Sequence, residues 1–207
     1  MTNQSVRLNS STPPTVARAI DVAARLFAER GYDATATRDI SRALGITNGT
    51  FYHYFPSKEM LLVQICRESI LRMIDAVSDA LAGLTISREK ISTLITAHTV
   101  AALENKPLRI TMLTERRSLG PENAAEISIL ASQYRHIVQE VIVEAQHAGI
   151  ARQDLPAETL SLSLLNLMNY SIIRSNNERS PDLESVDDAV QYAQILATIF
   201  LDGVAPR

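Results

Sequence analysis

The sequence of 207 residues has few of the residues on which tight turns and cross-links depend. It contains seven glycines, eight prolines, one cysteine and no tryptophan. All-β barrels and sandwiches need many tight turns, so the shortage of glycine and proline argues against both. Because Cys66 is the single cysteine of the sequence, no disulfide can form within it.

Long apolar runs and cofactor motifs are also missing. The run Thr159–Ile173 has 15 uncharged residues, fewer than the roughly 20 that a membrane-spanning helix needs. The N-terminal segment MTNQSVRLNSSTPP is polar and lacks the apolar core of a signal peptide. We therefore expect a cytoplasmic protein.

We expect no cofactor and no metal, because the sequence has no phosphate loop and only one copy of Glu-x-x-His, at Glu144 and His147.

The net charge of −3 conceals a difference between the two ends of the chain. Residues 1–60 carry seven lysines and arginines against five acidic residues, whereas the remainder is acidic on balance. A modestly basic N-terminal part on an acidic body indicates that the N-terminal part approaches a polyanion.

The spacing of apolar residues and of capping residues predicts about nine helices and hence an all-α fold. Thr35, Thr47, Ser57, Ser87 and Ser185 are expected helix caps. The predicted helices cover about 15–30, 36–43, 48–54, 58–82, 87–105, 107–118 and 121–149, and two more begin near 156 and 185.

Two of the short helices flank a tight turn, Leu44-Gly45-Ile46-Thr47, which is the pattern of a helix-turn-helix unit. The second of these helices enters the major groove of DNA in such units, and its exposed face has short or planar side chains that suit this role: Asn48, Gly49, Thr50, Tyr52 and His53. Lys58 opens the next helix, where a cation opposes the helix dipole unless an anion binds there. The alternatives are a helical hairpin with an aromatic-rich surface and a solvated lysine.

The segment ARLFAERGYDATATRDISRALGITNGTFYHYFPSKEMLL resembles the DNA-binding domain of the TetR/AcrR family of transcriptional regulators, over about residues 15–62. The resemblance implies a flexible arm (1–14), a helix-turn-helix domain (15–60) and an effector-binding and dimerisation domain (61–207). It also implies a homodimer, most often a repressor that a small molecule releases from a palindromic operator in double-stranded DNA.

The same resemblance assigns roles to individual residues. Phosphate contacts are implied for Thr37, Thr47, Tyr52, His53 and Lys58, and positions at or near base edges for Arg38, Asn48, Gly49 and Thr50. Arg7 in the arm is a candidate for the minor groove. The sequence departs from the family at Asn48, where many relatives have lysine, and asparagine favours adenine where lysine favours guanine.

The C-terminal helices offer candidates for dimerisation and for an effector. The eighth and ninth helices are apolar on nearly every side, which indicates either a homodimer through these two helices or central helices of a monomeric bundle. The candidate effector-binding residues are His98, Met112, Arg116, Tyr134, Asn166, Asn169 and Tyr170. An ordinary hydrophobic core or interhelical hydrogen bonds would also explain these residues. The stretches TERRSLGPENAAEISIL and ARQDLPAETLSLSLLNLMNY resemble regulators that sense acyl-CoA, so an acyl-CoA is one expected effector.

Two other classes of function are alternatives to a transcriptional regulator: an enzyme and a binding module. An enzyme on an all-α scaffold would need catalytic groups, and Cys66 has no recognisable histidine partner. A binding module that has lost DNA binding would not need the intact polar face from Asn48 to Lys58. We therefore expect a transcriptional regulator and no enzymatic activity.

Overall fold

The computed structural model describes residues 14–174 and 185–205, and all regular secondary structure within these ranges is helical. This confirms the predicted all-α fold. The described residues form nine α-helices and one 3-10 turn, Arg116–Ser118. The helices are α1 (Pro14–Arg30), α2 (Thr37–Leu44), α3 (Asn48–Tyr54), α4 (Lys58–Leu81), α5 (Arg88–Glu104), α6 (Lys106–Glu115), α7 (Pro121–His147), α8 (Ala157–Arg174) and α9 (Val186–Gly203).

Four of the five predicted caps begin helices as expected. Each hydroxyl accepts a hydrogen bond from the backbone N–H three residues later, at 3.1 Å, and so satisfies a donor that has no partner within the helix. These caps are Thr47, Ser57, Ser87 and Ser185.

The fifth cap, at Thr35, is wrong. Ala36 precedes α2, and its N–H donates to the Asp39 carboxylate at 3.2 Å. The Thr35 hydroxyl is buried and donates instead to the Gly31 carbonyl at 2.8 Å, so it closes the loop after α1. Threonine can make either bond, and only the tertiary position of the loop decides between them.

A second difference concerns helix ends. The sixth helix was expected to continue to Ser118, but the last three residues tighten into the 3-10 turn. Helix α1 also begins at Pro14, one residue inside the segment expected to be a flexible arm. Proline suits a first helical turn because its missing N–H would have no partner there.

Helices α1, α2 and α3 form a small unit, here called the head, around buried Phe27, Ile40, Leu44 and Phe51. Helices α5 to α9 form the body, in which α5 packs on α9 and α7 packs on α8. Helix α4 begins beside the head and continues against α5, α6 and α7.

Helix α6 is a second connection between head and body, because it also packs along α1. The buried Thr111 hydroxyl donates to the Ala24 carbonyl at 3.0 Å, and the Glu115 carboxylate accepts from the Tyr32 N–H at 3.3 Å. Within the described residues, no helix is both long and apolar enough to cross a membrane.

Candidate nucleic-acid interface and ligand pocket

The turn between α2 and α3 has the geometry of a helix-turn-helix unit. Gly45 ends α2 with φ +71°, a left-handed conformation that glycine adopts without a steric penalty. The Phe51 side chain of α3 is fully buried against the head, whereas Tyr52 on the outer face is 47% exposed and His53 is also exposed. The unit therefore presents the polar side of α3 outwards.

Hydrogen bonds hold α3 in a fixed orientation on α2. The Ser41 hydroxyl donates to Asn48 Oδ1 at 3.3 Å, or to the Thr37 carbonyl at 2.9 Å, since it has a single proton. The hydroxyls of Thr37 and Tyr52 are 3.3 Å apart and share a hydrogen bond. Ser41 is therefore a positioning residue that the sequence analysis missed, although it lies one helical turn after Thr37 on the same face.

Gly49 has no internal reason to be glycine. It is exposed and helical, and an added Cβ atom would meet only the Thr47 hydroxyl, at 3.7 Å, which is an ordinary contact. Alanine would favour the helix by about 1 kcal/mol. A glycine at this position makes sense if another molecule approaches the backbone of α3 closely.

Lys58 is held within the protein. Its ammonium group donates to the Tyr32 carbonyl at 2.9 Å and to the Thr35 carbonyl at 3.1 Å, and lies 4.1 Å from the centre of the Tyr32 ring. These contacts fasten the start of α4 to the loop after α1. A lysine has three N–H donors, so one of them is left for a phosphate.

The structure places the predicted DNA-contacting residues on α2, in the turn before α3, on α3 and at the start of α4, and a hydrogen bond joins Thr37 of α2 to Tyr52 of α3. Arg38 is exposed beside Thr37, and Thr50 shares a hydrogen bond with Thr47 at 2.9 Å. The predicted minor-groove contact of Arg7 lies outside the described residues.

The body contains a pocket of about 240 Å³ between α4, α6, α7 and α8. Five of the seven predicted effector-binding residues line it: Met112, Arg116, Tyr134, Asn166 and Asn169. His98 lies behind it, with Nδ1 at 2.6 Å from the Tyr134 hydroxyl. Tyr170 does not line the pocket and is 56% exposed on α8.

Arg109 was not predicted from the sequence, yet it lines the same pocket and is only 3% exposed. It lies one turn before Met112 on α6, and this helical spacing is the feature of the sequence that could have identified Arg109 as a pocket residue. Its guanidinium donates to Asn169 Oδ1 at 2.6 Å. Burial lowers the pKa of Arg109 to about 10, and the nearby Arg116 acts in the same direction.

Burial and the neighbouring Arg109 hold the pKa of His98 well below its ordinary value, so the ring is neutral at pH 7. Burial also raises the pKa of Tyr134. The nearby Asn169 side chain acts in the opposite direction and favours the protonated imidazole, although His98 Nε2 has no partner of good hydrogen-bond geometry among the described residues.

This lowered pKa predicts a loss of stability in acid. Below about pH 6.5 the unfolded chain takes up a proton on His98 and the folded chain does not, so the free energy of unfolding falls with pH. Denaturant unfolding of wild type and His98→Gln between pH 7 and 5 measures this: wild type should lose stability relative to the variant as the pH falls, and parallel curves would contradict it.

The described residues offer little for catalysis. Cys66 is fully buried, and burial raises the pKa of its thiol to about 12, so it is not a nucleophile at neutral pH. Within residues 14–174 and 185–205 no three histidine, cysteine or acidic side chains group in a way that would hold a metal ion.

Comparison with known proteins agrees with this geometry. Residues 19–65 match the model of bacterial regulatory proteins of the tetR family, and residues 85–173 match a tetracyclin repressor-like C-terminal domain. The HTH-type transcriptional repressor KstR2 of Rhodococcus jostii is 29% identical over 188 residues, which are 90% of this chain and 89% of that protein.

Two solved structures show the same fold. The ketosteroid transcriptional regulator KstR2 of Mycobacterium tuberculosis superposes with a TM-score of 0.80 at 22% identity, over 97% of this chain and all of that one. AibR in complex with isovaleryl coenzyme A and operator DNA superposes with a TM-score of 0.73 at 19% identity, over 92% and 97%.

Fold, head and matched models together define a DNA-binding regulator with a helical ligand-binding body. The chain belongs to the TetR family of bacterial transcriptional regulators, as its head sequence predicted, and the relatives named above are regulators and not enzymes.

Proposed function

We propose that the chain is a homodimeric repressor that acts in the cytoplasm, where a small molecule releases it from a palindromic operator. Residues 15–60 are the DNA-binding domain in this proposal, and residues 61–207 bind the effector and the second subunit. The observation that carries it is the exposed polar face of α3, with Gly49 at a position where no contact inside the protein calls for glycine.

Exposed apolar side chains on α8 and α9 support dimerisation. Neither helix is buried on every side within one chain, which argues against the alternative that they are central helices of a monomeric bundle. Leu196 and Phe200 face the core, whereas Ile195 is 57% exposed and Ile199 is 58% exposed one turn later. Leu162 and Tyr170 of α8 are also exposed. A stripe of this kind costs free energy in water, and a second copy of the chain would cover it.

The pocket in the body supports an effector with an apolar part. Ile70, Met112, Leu113 and Leu165 supply apolar walls. An acyl group, either as an acyl-CoA or in another hydrophobic effector, fits these walls, and AibR binds isovaleryl coenzyme A in the same fold. Soft side chains such as Met112 adapt to ligands of this type.

Two helices connect this pocket to the head. Helix α4 contributes Ile70 to the pocket and Lys58 to the loop between α1 and α2. Helix α6 contributes Arg109 and Met112 to the pocket, while Thr111 between them is bonded to Ala24 of α1. A ligand that moves either helix would move the head, and so change the distance between the two recognition helices of a dimer.

Asn48 and Tyr52 of α3 predict different mutant phenotypes. Asn48→Ala should remove base discrimination at one position of each half-site, at a cost of about 1–3 kcal/mol. Tyr52→Phe should weaken binding to all sequences alike, because it removes a contact to phosphate. Selection of bound duplexes from a random library measures both, and an unchanged sequence preference for Asn48→Ala would show that Asn48 does not read a base.

Two steps test the proposed function as a whole. The protein is first titrated against DNA from upstream of its own gene at two salt concentrations, where specific binding that weakens steeply with salt is expected. Ligand that co-purifies from the native host is then identified by mass spectrometry and added back to the complex. Release of the DNA supports the proposal, and a complex that no extracted ligand weakens would contradict its ligand-responsive part.

A further inference from the structure

Arg109 is a buried cation without a counter-ion. It is 3% exposed, and its one described side-chain partner is the neutral amide of Asn169. Among the described residues its Nε atom has no hydrogen-bond partner and no carboxylate forms an ion pair with it. Buried charges are ordinarily paired, because removal from water without a partner is costly.

The surroundings of Arg109 increase its need for an anion. The pocket that it lines contains two further arginines, Arg116 and Arg135, and no aspartate or glutamate. Both of these arginines are exposed at the outer part of the pocket, while Arg109 lies inside it. The pocket therefore carries positive charge on an otherwise apolar and amide lining.

Tyr134 supplies a second donor to the same space. Its hydroxyl is bonded to His98 Nδ1 at 2.6 Å, and among the described residues His98 Nε2 has no hydrogen-bond partner of good geometry. A buried N–H group without an acceptor costs more free energy than a buried nitrogen lone pair without a donor. The proton of the neutral His98 ring therefore lies on Nδ1. Nδ1–H then donates to the tyrosine oxygen, which leaves the Tyr134 O–H free to donate into the pocket that the side chain lines.

The size of the pocket limits the ligand. A cavity of about 150 Å³ accepts benzene, so 240 Å³ has room for about ten non-hydrogen atoms. A medium-chain carboxylate has this size and offers two oxygens to a guanidinium fork, with its chain against Ile70, Met112 and Leu165.

The geometry points to a carboxylate site at Arg109 and Tyr134: the effector that enters this pocket is an organic acid with an apolar body, bound by its ionised head inside the protein. This inference rests on the proposed function only in taking the pocket as the effector site. It narrows the effector from hydrophobic molecules in general to those with an anionic group at the end that reaches Arg109.

The test uses octanoate, neutral octanamide and octanoyl-CoA as probes of the full-length protein, by calorimetric titration without DNA. Octanoate should bind once per subunit, and at least tenfold more tightly than octanamide. Arg109→Met should abolish this preference, whereas Arg117→Gln, at an exposed arginine outside the pocket lining, should retain it. Equal binding of octanoate and octanamide, or binding of octanoyl-CoA alone with no effect of Arg109→Met, would overturn the carboxylate site.

Thermal unfolding distinguishes an arginine that binds a ligand from one that only stabilises the fold. Without ligand, Arg109→Met should have a higher Tm than wild type, because it removes an unpaired buried charge, and octanoate should raise the Tm of wild type only. If Arg109→Met does not fold, Leu162→Trp at the partly exposed edge of the pocket should block octanoate instead. A folded Leu162→Trp protein that binds octanoate like wild type would place the site elsewhere.

These results separate the carboxylate site from the proposed function. Octanoate that binds as expected but leaves the operator complex intact confirms the site and contradicts release by this ligand. A regulator that releases DNA with a neutral molecule only would retain the proposed function and contradict the carboxylate site.

Discussion

Ile195→Arg is expected to convert the proposed dimer into a folded monomer and to lower operator affinity by about 10²- to 10⁴-fold, the gain that joining two binding modules provides. Ile195 is 57% exposed on α9, so arginine is harmless in a monomer. In the dimer it would bury a charge without a partner on each side of the two-fold axis. Sedimentation velocity measures the mass, and fluorescence anisotropy measures the affinity.

Two matched variants separate the interface from the core. Gln194→Arg places the same charge at an exposed position next in sequence and should leave the dimer intact. Leu165→Arg should unfold the protein instead of splitting it, because Leu165 is 6% exposed and faces the core and the pocket. If the Ile195→Arg protein sediments as a dimer with normal operator affinity, α9 is not part of the dimer interface.

Insertion of two glycines after Gln64 is expected to retain DNA binding and effector binding but to abolish the coupling between them. Gln64 is half-buried in α4, and the inserted residues interrupt the helix between Lys58 at the head and Ile70 at the pocket. In wild type the effector should lower operator affinity by about 5- to 150-fold, and operator should lower effector affinity by the same factor.

A control insertion tests whether the effect belongs to α4. Two glycines after Gly83 lengthen the loop that follows α4 and should leave the coupling as in wild type. Operator titrations with and without the co-purifying effector compare the three proteins. If the Gln64 insertion disrupts α4, shown by faster hydrogen exchange, and the coupling is unchanged, then α6 with its Thr111 bond to Ala24 is the carrier.

Local sequence signals predicted most of the fold because helix ends obey local rules. Thr47, Ser57, Ser87 and Ser185 cap the helices that their hydroxyls were expected to cap. Thr35 shows the limit of such signals, since its hydroxyl bonds back to Gly31. The choice between the two bonds depends on the packing of a loop, which a local pattern does not contain.

The pocket was only partly predictable for the same reason. Met112, Asn166 and Asn169 were recognised from polar and soft residues within apolar helices, and the structure brings them together. Arg109 was missed because a single arginine in a helix is ordinarily solvated. Its burial depends on α6 lying between α1, α4 and α8, which is a property of the tertiary fold.

Selection of bound sequences from a random duplex library with the wild-type protein tests the central claim most directly. The account predicts a two-fold symmetric sequence preference, with half-sites about one helical turn or a multiple of it apart, bound by one dimer or by paired dimers. A preference without two-fold symmetry, or no enrichment of any sequence at moderate salt, would contradict it.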